Sequence, residues 1–262
     1  MQEQDLAVII LAAGKGTRME NFLAKVLIPI AGKPTLEFVL DTAERLNPTR
    51  TAVVVGHQAD RVQKIFSNRD LEFVLQKEQL GTGHAARQAE QTLANFEGRI
   101  LVLCGDMPLI KPKTLESLLR RHREMEAKCT VLTLKGKANN DFGRIIRDVD
   151  GSFLRIVEYR EASAEEKNVD EFNSGVYCFD KRLFFKALYC IADNNTQKEY
   201  FLTDTLEYLV KNGYLVASLE TEDADESIGI NTPDDLKRVA QLLQTGAYSQ
   251  NRTYPFQSEI SK

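Results

Sequence analysis

The run Leu6-Ala7-Val8-Ile9-Ile10-Leu11 and the loop behind it, Ala12-Ala13-Gly14-Lys15-Gly16-Thr17-Arg18-Met19, decide the reading of this chain. An uninterrupted apolar run with β-branched residues at its centre reads as a strand buried on both faces, the pattern of a parallel sheet covered by helices. Next, Leu36, Val39, Leu40, Ala43 and Leu46 recur at helical spacing. The alternation then repeats: a strand over Thr51 to Val55, a short helix over Ala59 to Phe66, a strand over Leu71 to Leu75 and a helix over Gly83 to Leu93. Further strands are expected at Arg99 to Cys104 and Cys129 to Leu134, with a helix between them opened by Pro112, where a missing N–H does no harm. The expected fold is therefore α/β, a Rossmann-like, mostly parallel twisted sheet with helices on both faces.

The rhythm changes after about Lys135. Arg144 to Arg147 and Phe153 to Glu158 flank Asp150-Gly151, a strong hairpin signal, which predicts a β-rich insertion over about 136–200. Phe172 to Phe179 resumes a strand, Thr203 to Val210 a helix, Tyr214 to Leu219 a strand and Pro233 to Leu243 a closing helix. From Gly246 periodicity is lost, so the expected organisation is one domain over 1–245 with a C-terminal tail at 246–262.

Composition narrows the function classes. With 34 Lys+Arg against 38 Asp+Glu, the formal charge of −4 offers no platform for nucleic acid. The longest apolar run, Leu6 to Ala13, is far shorter than the ~20 residues of a membrane-spanning helix. The N-terminus carries acids and no basic leader, so a cytoplasmic location is expected. Cys104, Cys129, Cys178 and Cys190 show no CxxC spacing, and most of them read as buried thiols.

Three places carry chemistry. In the first loop, Gly14 and Gly16 let backbone N–H groups approach an anion, and Lys15, Arg18 and Lys25 could hold a triphosphate; otherwise this is a solvated basic loop. The third glycine of GxGxxG is replaced by Met19, and strand two ends in Gly56-His57 rather than an acid, which disfavours a dinucleotide site. Asp106 ends the apolar run Leu101 to Cys104 and is either a Mg²⁺ ligand or a turn or helix-capping acid. Asn231 is either a second oxygen donor or the cap of the helix near Pro233. Gln76, with Gly81 and Gly83 close behind, suits a pyrimidine edge or is a turn before a helix capped by Thr82; His84 reads as an exposed or packing histidine.

Together these segments resemble the sugar-phosphate nucleotidyltransferases, most closely the uridyltransferase domains of the bacterial bifunctional N-acetylglucosamine-1-phosphate uridyltransferases. The resemblance runs in order through LAAGKGTRM (11–19), KVL (25–27), AGKP (31–34), QKEQLGTGHA (76–85), GDMPLI (105–110), FGRI (142–145), IVE (156–158), NSG (173–175), EYFLTD (199–204) and GIN (229–231). It implies that Leu11, Ala12, Ala13 and Gly14 hold the nucleotide with Cys104 and Gly105, that Arg18 and Lys25 are catalytic and grip phosphates, and that Gln76, Gly81 and Thr82 form the uracil pocket. It further implies Asp106 and Asn231 as ligands of a Mg²⁺ cofactor, and Gly143, Glu158 and Asn173 as N-acetylglucosamine-binding residues in a sugar-facing lobe. The implied reaction joins UTP and N-acetylglucosamine 1-phosphate into UDP-N-acetylglucosamine and pyrophosphate. The alternatives are another sugar 1-phosphate or nucleotide, such as glucose 1-phosphate or CTP, and a silent nucleotide-sugar sensor. Two departures stand out: Cys104 replaces a frequent Tyr, and no hexapeptide β-helix is expected after Leu243. The expectation is a single-activity enzyme, monomeric or weakly dimeric, with no nucleic-acid or membrane partner.

Overall fold

The structure, a computed structural model, describes residues 5–16, 19, 23–136 and 142–245. Arg18 and the expected tail at 246–262 lie outside the described residues. The strands are β1 (Leu6–Ala12), β2 (Pro29–Ile30), β3 (Lys33–Pro34), β4 (Arg50–Val55), β5 (Glu72–Leu75), β6 (Arg99–Cys104), β7 (Cys129–Lys135), β8 (Arg144–Arg147), β9 (Phe153–Val157), β10 (Glu171–Asp180) and β11 (Val216–Glu220). The helices are α1 (Thr35–Glu44), α2 (Ala59–Ile65), α3 (Thr82–Arg87), α4 (Pro112–Glu124), α5 (Lys181–Leu188), α6 (Asp204–Lys211) and α7 (Pro233–Gln244).

The main sheet runs β11-β7-β10-β6-β1-β4-β5. β1 pairs in parallel with β4 and β6, β4 with β5, and β7 with β11; β10 alone on this path runs against both neighbours. The mostly parallel sheet is thus as the alternation implies, and the reversed strand is the one that returns from the expected insertion. That insertion contains the antiparallel pair β8–β9, closed through Gly151 at φ +83°.

Strand periodicity divides the core. Ala7 and Ile9 face one cluster, with Ala86, Phe184 and Leu206 of α3, α5 and α6, while Val8 and Ile10 face another, with Leu36 and Leu40 of α1 and Leu115 and Leu118 of α4. A third, smaller cluster joins Val239 of α7 to Ile28, Ile30, Leu109 and Ile230, which holds the segment before α7 against the end of β6.

Two expectations are corrected. The helix expected over Gly83 to Leu93 is helical only to Arg87, after which bonds from Gln88, Ala89 and Glu90 N–H to the carbonyls three residues back tighten the chain into turns. Ala89 and Leu93 are nonetheless buried, so the periodicity reports the covered face correctly. Helix α5 was not expected, although Asp180 caps it by accepting from Leu183 N–H at 3.1 Å.

Candidate functional site

The carboxyl ends of β1 and β6 lie side by side, with Leu11 opposite Cys104 and Gly105 N–H donating to Leu11 O at 2.9 Å. This register sets Asp106 beside the loop that leaves β1, the edge where ligands bind in open α/β sheets. The loop folds back on Lys25: a Cβ added to Gly16, at φ +63°, would stand 2.7 Å from Lys25 Cβ. Ala12 and Ala13 are buried, whereas Gly14 and Lys15 are exposed and a Cβ on Gly14 would meet nothing within 4 Å.

Lys25 opens a single 3₁₀ turn anchored by buried Val26 and Leu27, and its ammonium donates to the Asp106 carboxylate and to Asn231 Oδ1, the latter at 3.0 Å. Asn231 Nδ2 donates to Gly229 O at 3.2 Å, which turns the amide oxygen toward Lys25. Ile230 N–H donates to Asp106 O at 3.0 Å and ties the two segments together. The capping alternatives for these residues fall away: Thr232 caps α7 in a capping box with Asp235, and Lys111 occupies the N-cap position of α4.

Cys104 adjoins this group. Its thiol is pushed up to about 12, by burial first and by the Asp106 carboxylate second, with Lys25 pulling the other way. It reaches β10 at Gly175, whose carbonyl lies 3.5 Å from Sγ. Gly175 sits at φ +86° where the β10–β7 register shifts, and a Cβ there would stand 3.1 Å from the sulfur. A cavity of about 310 Å³ opens here, lined by Cys104, Asp106, Phe142, Phe172, Ser174 and Asn231 among others.

The residues implied for the sugar gather on the β10 side. Asn173 N–H donates to Gly143 O at 2.9 Å, its Nδ2 donates to Tyr177 Oη at 2.8 Å, and its Oδ1 accepts from Gly175 N–H at 3.1 Å. Glu158 Oε1 accepts from Thr203 Oγ1 at 2.9 Å, and burial pushes its carboxyl above the usual range. Buried Tyr177 is raised by desolvation first and then by Glu158, so the two share one neighbourhood. Gly143, Glu158 and Asn173 do not line the cavity named above, although Phe172 and Ser174, on either side of Asn173, do.

The residues implied for the base form a separate shelf. Gln76 is buried, and its N–H extends the β4–β5 ladder to Val55 O at 2.8 Å. Gly81 adopts φ +104°, and a Cβ there would stand 2.6 Å from Tyr200 O, so only glycine fits. Thr82 Oγ1 accepts from Leu202 N–H at 3.0 Å, clasping the shelf to the 199–204 segment.

Sequence reasoning missed two participants. Thr203, the partner of Glu158, lies inside the EYFLTD segment, where its spacing signals no role. His84, read as exposed or packing, instead touches the amide of Gln76 at 3.0 Å, a contact that i to i+8 spacing does not signal.

The MobA-like NTP transferase domain matches residues 8–205. The chain belongs to this family. It is 45% identical over 236 residues to the Bifunctional protein GlmU of Bacillus cereus (strain G9842), and 47% identical over 235 residues to that of Enterococcus faecalis. Each alignment covers 90% of this chain and 51% of the relative, so the chain spans about half the length of the curated relatives it matches. A crystal structure of UDP-glucose pyrophosphorylase complexed with UDP-glucose superposes with a TM-score of 0.76 at 18% identity, covering 92% of this chain and 99% of that one, which shows a shared fold.

In this NTP transferase domain the fit to a divalent cation can be read from the donors themselves. One carboxylate and one amide oxygen converge on a cation, the Lys25 ammonium. Among the described residues no group of three or more His, Cys, Asp and Glu side chains could cage a metal. Such a sparse oxygen pair suits Mg²⁺, which keeps several waters and completes its shell with substrate phosphates. No helix among the described residues is long and apolar enough to cross a membrane.

Proposed function

We propose that the chain transfers a uridyl group from UTP to N-acetylglucosamine 1-phosphate. The observation that carries the proposal is the convergence of Lys25, Asp106 and Asn231 at the ends of β1 and β6, beside the glycine loop. Membership of the MobA-like NTP transferase domain family supports a nucleotidyltransferase, and the 45–47% identities to Bifunctional protein GlmU favour a reaction of that kind over that of the UDP-glucose enzyme, whose likeness is one of fold.

In this reading a phosphate oxygen of the sugar 1-phosphate attacks the α-phosphorus of UTP. The bond from that phosphorus to the bridging oxygen of the β-phosphate breaks, and its electrons leave with pyrophosphate. The nucleophile is already an anion near pH 7, so no general base is needed, and catalysis rests on positioning and charge neutralisation. Asp106 and Asn231 would hold Mg²⁺, which supplies Lewis-acid neutralisation of phosphate charge when bound. Lys25 and Arg18 neutralise charge on the transferring and leaving phosphates. Leu11 to Gly14, with Cys104 and Gly105, floor the nucleoside; Gln76, Gly81 and Thr82 meet the base. Gly143, Glu158 and Asn173 receive the sugar, with Thr203 orienting the Glu158 carboxyl.

The test is pyrophosphate release from UTP, with and without Mg²⁺, offering N-acetylglucosamine, glucosamine, glucose and galactose 1-phosphates in parallel. Metal-dependent release with a preference for the first is the expected result. Preference for another sugar removes the roles given to Glu158 and Asn173, and no release with any pair removes the activity.

A further inference from the structure

The carboxamide of buried Gln76 has one nitrogen and one oxygen, and which of them faces a bound base decides which bases fit. Its Nε2 stands 3.2 Å from Gly81 O and 3.0 Å from His84 Nδ1. A carbonyl oxygen only accepts, so the atom facing it is the NH₂ group, and its second hydrogen is left for His84 Nδ1. Oε1 takes no hydrogen bond from any described residue and is not sealed from solvent.

His84 has a competing partner. Gln88 Nε2 lies 3.1 Å from His84 Nε2 and also donates to His84 O at 3.0 Å. A neutral imidazole accepts at one nitrogen only, so the two glutamines cannot both donate to the ring. Gln76 is 3% exposed, whereas Gln88 is half-buried and reaches water. An unmet polar group costs most where water cannot serve it, so the buried amide sets the tautomer: Nδ1 accepts, Nε2 carries the proton, and the Gln88 amide, which has water as an alternative partner, gives up the ring contact. Burial first, and Arg87 second, lower the histidine below its ordinary value against weaker upward pulls from a hydrogen bond to the Glu78 backbone carbonyl and from the Glu78 carboxylate, a net direction that favours the neutral ring. The only ring packed on it is Tyr200 among the described residues, with centroids 6.5 Å apart.

We propose that His84 is the positioning residue that fixes the Gln76 amide with its oxygen toward the base, so that the site selects a nucleobase offering a ring N–H, as uracil does, over one offering a bare ring nitrogen, as cytosine does. The inference rests on the uridyl-transfer reading and deepens it. With the NH₂ group held by Gly81 O and His84, the free Oε1 accepts from the uracil ring N–H but meets the cytosine ring nitrogen lone pair to lone pair. Without His84 only Gly81 O restrains the amide, and that carbonyl already accepts from Ala85 N–H at 3.0 Å. The amide can then present Oε1 to uracil or, flipped, NH₂ to cytosine.

The experiment compares kcat/KM for UTP, dTTP and CTP in the full chain and in His84→Ala and His84→Asn, with the sugar 1-phosphate held fixed and folding checked by thermal melting. The Asn side chain carries an oxygen where Nδ1 stands and can be accepted as its stand-in. His84→Ala is expected to shrink the UTP:CTP ratio by about tenfold or more, the scale of one discriminating hydrogen bond, chiefly through KM. The dTTP:CTP ratio is expected to fall in parallel, because thymine offers the same ring N–H, and His84→Asn to recover most of both ratios. A wild-type preference for UTP that survives in His84→Ala overturns the role of His84 alone. Loss of the ratio to the same extent in His84→Asn as in His84→Ala also overturns it. A wild-type chain that uses CTP as well as UTP overturns the uridyl reading and this inference with it.

Discussion

The Lys25 ammonium and the Asp106 carboxylate, 81 residues apart in sequence, form an ion pair whose third member is the Asn231 amide oxygen at 3.0 Å. The pair is half-buried, with side-chain exposures of 17% and 14%, so it is only partly screened by solvent. A cation placed between two hard oxygens is the electrostatic arrangement that a divalent ion would complete. Under the proposed function Lys25 has two anionic partners to choose between, Asp106 in the free protein and substrate phosphate in the loaded one.

Lys25→Met therefore has opposite effects on binding and turnover. Removal of the competing ammonium is expected to tighten Mn²⁺ binding to the nucleotide-free protein, read from the free-ion signal in electron paramagnetic resonance. Pyrophosphate release is expected to fall by roughly 10²-fold or more, as for other lost transition-state charge contacts. Unchanged or weaker Mn²⁺ affinity would show that Lys25 does not compete for these oxygens.

Gly229 offers a gentler probe of the same donors. A Cβ built on it would stand 3.3 Å from both Asp106 Oδ2 and Asn231 Nδ2, close enough to displace each by a few tenths of an ångström. Gly229→Ala is expected to raise the Mg²⁺ concentration for half-maximal activity by about tenfold while the melting temperature barely moves, since the next nearest atom, Asp106 Cγ, stands at an ordinary contact distance of 3.7 Å. An unaltered Mg²⁺ requirement would separate Asp106 and Asn231 from the metal.

Much of this arrangement is legible in the sequence, and its gaps have physical reasons. Asp106 and Asn231 each end an apolar run, so a carboxylate and an amide at the sheet edge can be anticipated from position alone. Their meeting with Lys25 cannot, because it depends on α7 packing Val239 against Ile230 and Leu109. The direction of β10 is equally hidden: Phe172, Val176, Tyr177, Cys178 and Phe179 are all buried, and a strand covered on both faces reads the same whichever way it runs. The role of His84 is hidden because its partner Gln76 lies eight residues back, just past the end of β5, a spacing that no helix or strand periodicity marks.

The cysteines give a prediction that needs no substrate. Burial raises Cys129, and raises Cys104 and Cys178 to about 12, while Cys190 is exposed. At pH 8 a thiol with a pKa near 12 is thiolate in about one molecule in 10⁴, so it is a poor nucleophile. A chromogenic disulfide reagent is expected to titrate one thiol quickly in the native protein and all four after denaturation. A second fast thiol would mean that the Cys104 pocket opens on the timescale of the assay.

The last prediction concerns acid on the sugar side. Asp204, in the first turn of α6, is raised to about 6 from the ordinary 3.8, by burial first and then by Glu158, with Glu207 and Glu161 adding and Lys211 opposing. Between those two values the folded protein holds a proton that the unfolded chain has released, so stability falls as pH rises through that window and the deficit is complete above pH 6. Two units correspond to about 3 kcal/mol, and solvent screening of this partly exposed group reduces that to the order of 1–2 kcal/mol. Asp204→Asn is accordingly expected to raise the melting temperature at pH 7.5 by about 3–6 °C, the usual conversion for a chain of this size, and to leave it nearly unchanged at pH 4. A gain of the same size at both values would mean that the amide improves packing rather than relieving charge, and a loss at pH 7.5 would mean that the carboxylate is needed by the fold.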